Sequence, residues 1–349
     1  MTAPQPKADA VAAVPALPRP EACSAVARTP FELPSSDGAT TLGGDVWLPP
    51  AGAAPVAVVQ LVHGMVEHIG RYDAFARQLA ACGCAVAGHD HLGHGRSVAS
   101  PDDWGVLAPG RGADHLVEDV QRVRLMLDER FAGLPHVVFG HSMGSFVIRS
   151  FLGRHGAGLR AAMVFGTGWQ PPAALAFGRA VTRVLAAVRG WGFRSRLVDG
   201  LAVGAYARRF AAEEGGDVAW ISRDASAQRA YLDDPQTGFV FSLGAYHELF
   251  RLVGMAQDRS LVARMLHDLP VLLASGTDDP VGGMGAAVPR VAALMRSCGV
   301  ADVEERLYPG ARHELVNETN RDEVVADVLS WLARKGVPLA LPEPVSSGS

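Results

Sequence analysis

The most pointed chemistry in the chain sits in Gly140-His141-Ser142-Met143-Gly144. Glycines two residues either side of a serine suit a turn too tight for side chains, one that lifts the hydroxyl clear of the backbone as a nucleophile. A serine hydroxyl is a weak nucleophile near neutral pH, so a base must take its proton and a further group must orient that base. Two later segments supply them: Gly276-Thr277-Asp278-Asp279-Pro280 and Pro309-Gly310-Ala311-Arg312-His313. His313 is the expected base, with Asp278 or Asp279 as its carboxylate. His155, near an expected helix end, and His267, just before an expected strand, lack this placement.

Each of these positions must be held by an element. Apolar runs recur at residues 56–62, 84–89, 136–140, 161–165, 271–275 and 303–308, several of them continuous, as in strands covered on both faces. Helical patterns fall between them at 72–82, 114–131, 143–155, 288–298 and 322–335, after a hairpin over 31–48. The pattern predicts an α/β fold with a mostly parallel sheet flanked by helices. Ser142, Asp278 or Asp279, and His313 then lie just past the carboxyl ends of three strands, where such sheets carry their sites.

Residues 168–257 break the rhythm with helix-like stretches and no core strand, so they are expected to form a helical cap or lid between two parts of one core, 31–167 and 258–336. Residues 1–30, interrupted by Pro15, Pro18 and Pro20, read as a disordered tail rather than a signal peptide, and 337–349 as a flexible tail.

Composition narrows the function classes. A net charge of -4 with scattered Lys and Arg leaves no electrostatic footprint for nucleic acid. No apolar run approaches the length needed to span a membrane. Cys82 and Cys84 are too close in sequence for an ordinary disulfide, and Cys23 and Cys298 suggest no framework, so reduced thiols and a cytoplasmic setting are expected. His89, His91 and His94, with Asp90 among them, fall across a strand end and a turn rather than at helical ligand spacing, which argues against a metal site.

Four segments together, HGMVEHIGRY (63–72), DHLGHGRS (90–97), GHSMGS (140–145) and the GTDD/GARHE pair (276–279, 310–314), resemble the monoglyceride lipase and lysophospholipase branch of the α/β-hydrolases, the serine aminopeptidase S33 group. The resemblance spans roughly residues 56–332, apart from most of the cap. It implies Asp279 as the catalytic acid, with Asp278 the alternative, and an oxyanion hole of the Met65 and Met143 backbone N–H groups. Gly64, Gly140, His141 and Gly144 would support those turns, as would Glu67, His68 and the DHLGHGRS segment. Val66, Ile69 and Ser145 depart from the family pattern in ways that bear on the substrate entrance rather than on the chemistry.

The expected function is therefore carboxylic ester hydrolysis through an acyl-enzyme on a Ser-His-Asp triad, needing no metal or organic cofactor. A small acyl ester or single-chain lipid, such as a monoacylglycerol or lysophospholipid, is the expected substrate, an implication of the resemblance. An acyltransferase on the same triad and a non-catalytic binding protein of the same fold are the competing readings. Trp169, Trp191, Phe193, Tyr206, Phe210 and Trp220, interleaved with arginines, suggest an acyl tunnel whose basic rim makes peripheral membrane contact.

Overall fold

The computed structural model describes residues 16–341. Its centre is an eight-stranded sheet of order β1-β2-β4-β3-β5-β6-β7-β8. The strands are β1 (Ala27–Pro34), β2 (Thr41–Leu48), β3 (Ala57–Val62), β4 (Cys84–His89), β5 (His136–His141), β6 (Leu159–Phe165), β7 (Val271–Gly276) and β8 (Val303–Tyr308). Strands β3 to β8 run parallel, and the β1–β2 hairpin joins antiparallel along β4. The helices are α1 (Pro20–Ser24), α2 (Asp73–Ala81), α3 (Gly112–Arg130), α4 (Met143–His155), α5 (Pro172–Arg189), α6 (Arg196–Ala202), α7 (Gly204–Phe210), α8 (Ala225–Asp233), α9 (Leu243–Ala256), α10 (Arg259–Val262), α11 (Ala287–Ser297) and α12 (Arg321–Arg334).

The continuous apolar runs are central strands, buried along their whole length in β3, β4, β5 and β7. Alternate residues feed different layers. Val138 of β5 joins the core beneath α3, α4 and α9, whereas Val137 and Phe139 join the one covered by α2 and α12. Phe139 packs its ring 5.3 Å from Phe75 and 5.1 Å from Phe165. Strand β8 closes the sheet as an edge, which is why Glu304, Glu305 and Arg306 interrupt its apolar residues.

The expected disordered tail over 1–30 is corrected where it can be seen. Pro20–Ser24 is helical and β1 begins at Ala27, held by an eight-residue register against β2. The flanking Ala and Pro residues hid a segment whose order comes from strand pairing. Residues 1–15 and 342–349 of the two expected tails lie outside the described residues. Within the second tail, Val337 is buried and the Ala340 N–H donates to the Cys82 carbonyl at 2.9 Å. Cys82 and Cys84 are buried thiols, and burial pushes Cys82 up to about 12.

Between β6 and β7 the chain forms α5 to α10. α9 packs on α3 and α4, and α5 packs on α9. The neck of this segment is clamped. Arg149 of α4, fully buried, donates to Thr167 Oγ1 (3.2 Å) and the Gly168 carbonyl (3.3 Å) where the chain leaves the sheet, and to the Ala256 carbonyl (2.8 Å) where α9 ends. Gln170 and Gln257 exchange two hydrogen bonds of 2.8 Å beside it. Among the described residues no carboxylate pairs with Arg149, and burial pushes its guanidinium down to about 9; the carbonyl end of α9 supplies the compensating negative dipole.

Deleting the Phe139 ring leaves a cavity between Phe75 and Phe165, so Phe139→Ala should destabilise the fold by about 3–5 kcal/mol in urea unfolding. Phe177→Ala, at a site 66% exposed, should stay within about 0.5 kcal/mol.

Candidate active site

Ser142 occupies the single-residue corner between β5 and α4 with φ 53° and ψ -118°, a region unfavourable for any residue with a Cβ. The corner is over-determined. The Ser142 N–H donates to the Phe165 carbonyl (3.0 Å), and its carbonyl accepts from the Ser145 N–H (2.9 Å) and hydroxyl (2.5 Å). A Cβ on Gly144 would strike the Val62 and His63 carbonyls, and one on Gly140 the Gly144 carbonyl, so only glycines let α4 start this close to β3. The Ser142 side chain opens into a cavity of about 940 Å³ that His313, Met65 and Met143 also line.

His313 lies in the loop after β8 and Asp279 in the loop after β7, both buried. His313 Nδ1 is 3.0 Å from Asp279 Oδ1. Asp279 also accepts from the Ser275 hydroxyl (2.8 Å) and the Val281 N–H (2.9 Å). Burial opposes its charge, but the facing His313 and these donors outweigh burial and hold the carboxyl below its usual range. Asp278 is turned away and half-exposed, its N–H on the Ala311 carbonyl and its carboxylate beside the Thr277 hydroxyl. The geometry thus brings Asp279, and not Asp278, to the histidine. The Asp–His hydrogen bond fixes Nδ1 as a donor and leaves Nε2 for a second partner.

The loop after β3 carries Gly64 and Met65. The Gly64 N–H donates to the buried Glu67 carboxylate, and the Val66 N–H to His94 Nε2 at 3.2 Å. Val66 has φ 58°, a strained value for a β-branched residue. Glu67 accepts from the Tyr72 hydroxyl (2.8 Å) and lies 3.4 Å from both His141 Nδ1 and Arg71 Nε. Arg71 reaches both Glu314 oxygens at 2.9 and 2.6 Å. Burial works against the Glu67 charge, yet His141, Arg71 and Tyr72 hold its carboxyl down at about 2. His141 Nε2 faces the His313 carbonyl at 3.2 Å, so this network runs from the Gly64 loop to the backbone of the histidine.

This network was the part of the site that sequence reasoning largely missed. The resemblance gives Glu67 and His141 as supports, but nothing in the spacing pairs Arg71 with Glu314, 243 residues away. Trp220, one of the aromatics expected in an acyl tunnel, places its ring 5.2 Å from His313, and Tyr231, which carries no local signal, donates its hydroxyl to the Val66 carbonyl (3.3 Å).

His63, His89, His91 and His94 form a fully buried cluster under the same loop, with His63 4.3 Å from His91 and 5.3 Å from His94 between ring centroids. Among the described residues, no group of three or more His, Cys, Asp or Glu side chains is arranged to hold a metal ion. The imidazoles instead serve as neutral packing groups and acceptors. Burial pushes His94 down to about 4 and holds the others below the usual histidine range.

Residues 53–320 match the family described as serine aminopeptidase, S33. The chain belongs to this α/β-hydrolase family. It is 32% identical over 292 residues to a monoacylglycerol lipase of Mycolicibacterium smegmatis, covering 82% of this chain and 91% of that protein. Among solved structures it resembles a thermostable carboxyl esterase from Bacillus coagulans in complex with glycerol, with a TM-score of 0.80 at 26% identity over 89% of this chain and 99% of that one. It also resembles a lipase in its open form, with a TM-score of 0.75 at 28% identity over 88% and 99%.

The buried imidazoles carry a pH dependence. In the unfolded chain they take up protons near pH 6.5, so between that pH and about 4 for His94 the unfolded state binds more protons and stability falls as pH falls. From pH 7 to pH 5 the urea midpoint should therefore drop, His94 alone contributing about 2 kcal/mol. His94→Gln should shrink that drop.

Proposed function

We propose that the chain hydrolyses carboxylic esters of a single acyl chain through an acyl-enzyme on Ser142. The observation that carries the reading is the Asp279–His313 pair, bonded at 3.0 Å, whose histidine lines the same cavity as a serine held in a strained strand-to-helix corner. His313 Nε2 takes the Ser142 proton as Oγ attacks the acyl carbonyl. Asp279 keeps the imidazole oriented and stabilises its positive form. The Met65 and Met143 N–H groups receive the negative charge on the carbonyl oxygen. The leaving alcohol departs with the proton from His313, which then activates a water against the acyl-enzyme.

The lining of the cavity supports this substrate class. Leu175, Val181, Leu249, Phe250 and Val253 bring an apolar wall from α5 and α9, suited to a fatty acyl chain, and the relative named as a monoacylglycerol lipase agrees with a glyceride ester. Phe177, Val184 and Val188, 66 to 80% exposed, form an outward apolar stripe on α5, beside the equally exposed Leu197 and Leu201 of α6. Phe177 and Leu201 also line the cavity, and Arg183 and Arg189 are exposed on the same helix as Phe177. This face lays the helical segment on a lipid surface, from which a single-chain ester enters the cavity. Among the described residues no helix is long and apolar enough to cross a membrane.

A fluorophosphonate should label the protein at one serine, and Ser142→Ala should abolish both labelling and hydrolysis of a monoacylglycerol; an unlabelled wild type overturns the reading. Asp279→Asn should lower kcat by about 10⁴, while Asp278→Asn should stay within a few-fold. Anionic liposomes should sediment the wild type at low salt, and Val184→Asp with Val188→Asp should release it; equal sedimentation of the two removes the membrane face from the proposal.

A further inference from the structure

Three successive peptide N–H groups in the loop after β3 differ in what they meet. Gly64 donates to the Glu67 carboxylate and Val66 to His94 Nε2. Met65, between them, donates to no protein acceptor among the described residues and faces the cavity that contains Ser142. The Met65 N–H lies in the peptide plane between these two tethered ones, and the Gly64 carbonyl in that middle plane faces His63 Nδ1 at 2.7 Å, so all three rigid planes are held in orientation. The Val66 carbonyl is tied as well, by the Tyr231 hydroxyl. Without these tethers Val66, at φ 58°, would relax toward the conformations that β-branched residues prefer.

We propose that Glu67 and His94 are positioning residues that aim the Met65 N–H at the developing oxyanion, an inference that rests on the ester-hydrolase reading above. Neither touches the reacting atoms. His94 is suited to the task because its Nδ1–H donates to the Leu92 carbonyl at 2.9 Å, which leaves Nε2 as a lone-pair acceptor. His63, Phe239 and Phe241 pack around the ring at 5.3 to 5.5 Å and fix its plane. Burial keeps the imidazole neutral, with its pKa pushed down to about 4.

Glu67 brings a charge-assisted acceptor to Gly64, but a bare carboxylate near a forming oxyanion would oppose catalysis. Arg71 and His141 together counter that charge: the guanidinium lies 3.4 Å from Glu67 while also pairing with Glu314, and His141 Nδ1 lies 3.4 Å from the same carboxylate, which outweighs burial and raises the affinity of that imidazole for a proton. An oxyanion donor aimed before the reaction needs no reorganisation during it, so its loss falls on the transition state more than on substrate binding.

The test uses the full chain with a soluble p-nitrophenyl ester and, as a mimic of the tetrahedral state, an alkyl trifluoromethyl ketone. His94→Leu and Glu67→Ala should each lower kcat by ten- to a hundredfold with KM within about twofold, and weaken trifluoromethyl ketone binding by a similar factor. His94→Gln and Glu67→Gln, which keep an acceptor near the same N–H, should recover most of the loss. If His94→Leu does not fold, the Glu67→Ala and Glu67→Gln pair decides the question by the same readout. Turnover within twofold of wild type in the folded truncation variants overturns the inference, as does a loss of kcat with unchanged ketone affinity. Ser142→Ala separates the two claims: retained turnover there sinks the hydrolase reading itself, whereas an inactive Ser142→Ala beside unimpaired Glu67 and His94 variants sinks only the positioning role.

Discussion

The close approach of α4 to the carbonyl ends of β3 governs the rest of the molecule. Gly144 lies where a Cβ would meet the Val62 and His63 carbonyls, and the chain must turn from β5 into α4 within the single residue Ser142. That turn holds Ser142 at positive φ, a cost of roughly 1–3 kcal/mol that the packed sheet and the bonds to Phe165 and Ser145 offset. The same approach brings the start of α4, with Met143, against the loop that carries Gly64 and Met65. The corner that holds the proposed nucleophile and both proposed oxyanion donors therefore depend on one packing contact.

Around this corner the protein buries an unusual amount of polar material and satisfies much of it with partners distant in sequence. Glu67, Tyr72, His141, Arg71 and Glu314 form one ionic and hydrogen-bonded network, and Asp279, Ser275 and His313 another. The two meet where His141 faces the His313 carbonyl. The histidine cluster beneath works by the opposite device, since desolvation suppresses charge and the rings act as neutral packing groups. A charged pair can be buried when its partners are aligned, and an isolated imidazole can be buried when it stays neutral. The site uses both solutions within one loop system.

The helical segment between β6 and β7 is anchored at its neck and more open at its outer face. Arg149 and the Gln170–Gln257 exchange tie its two ends to α4 and to each other. At the outer face α5 and α6 expose Val184, Val188, Leu197 and Leu201.

Much of the fold was legible because its strands are short continuous apolar runs separated by helical periods, a pattern dominated by local chain chemistry. The expected hairpin over 31–48 included the end of β1 but not its first half, Ala27–Pro30, whose residues are all exposed and whose order comes from pairing with β2. Ser142, His313 and the aspartate pair could be found from residue type, order and position past strand ends, since a strand-to-helix corner and glycine spacing are encoded within a few residues. Residue spacing left Asp278 and Asp279 open, and only resemblance to a family favoured one. Tertiary structure decided the contact, because the turn after β7 sends adjacent side chains in opposite directions and one alone meets His313. It also decided that Arg71 would meet Glu314 and that His94 would hold Val66: these bonds join residues distant along the chain, and no periodicity records which loops the sheet brings together.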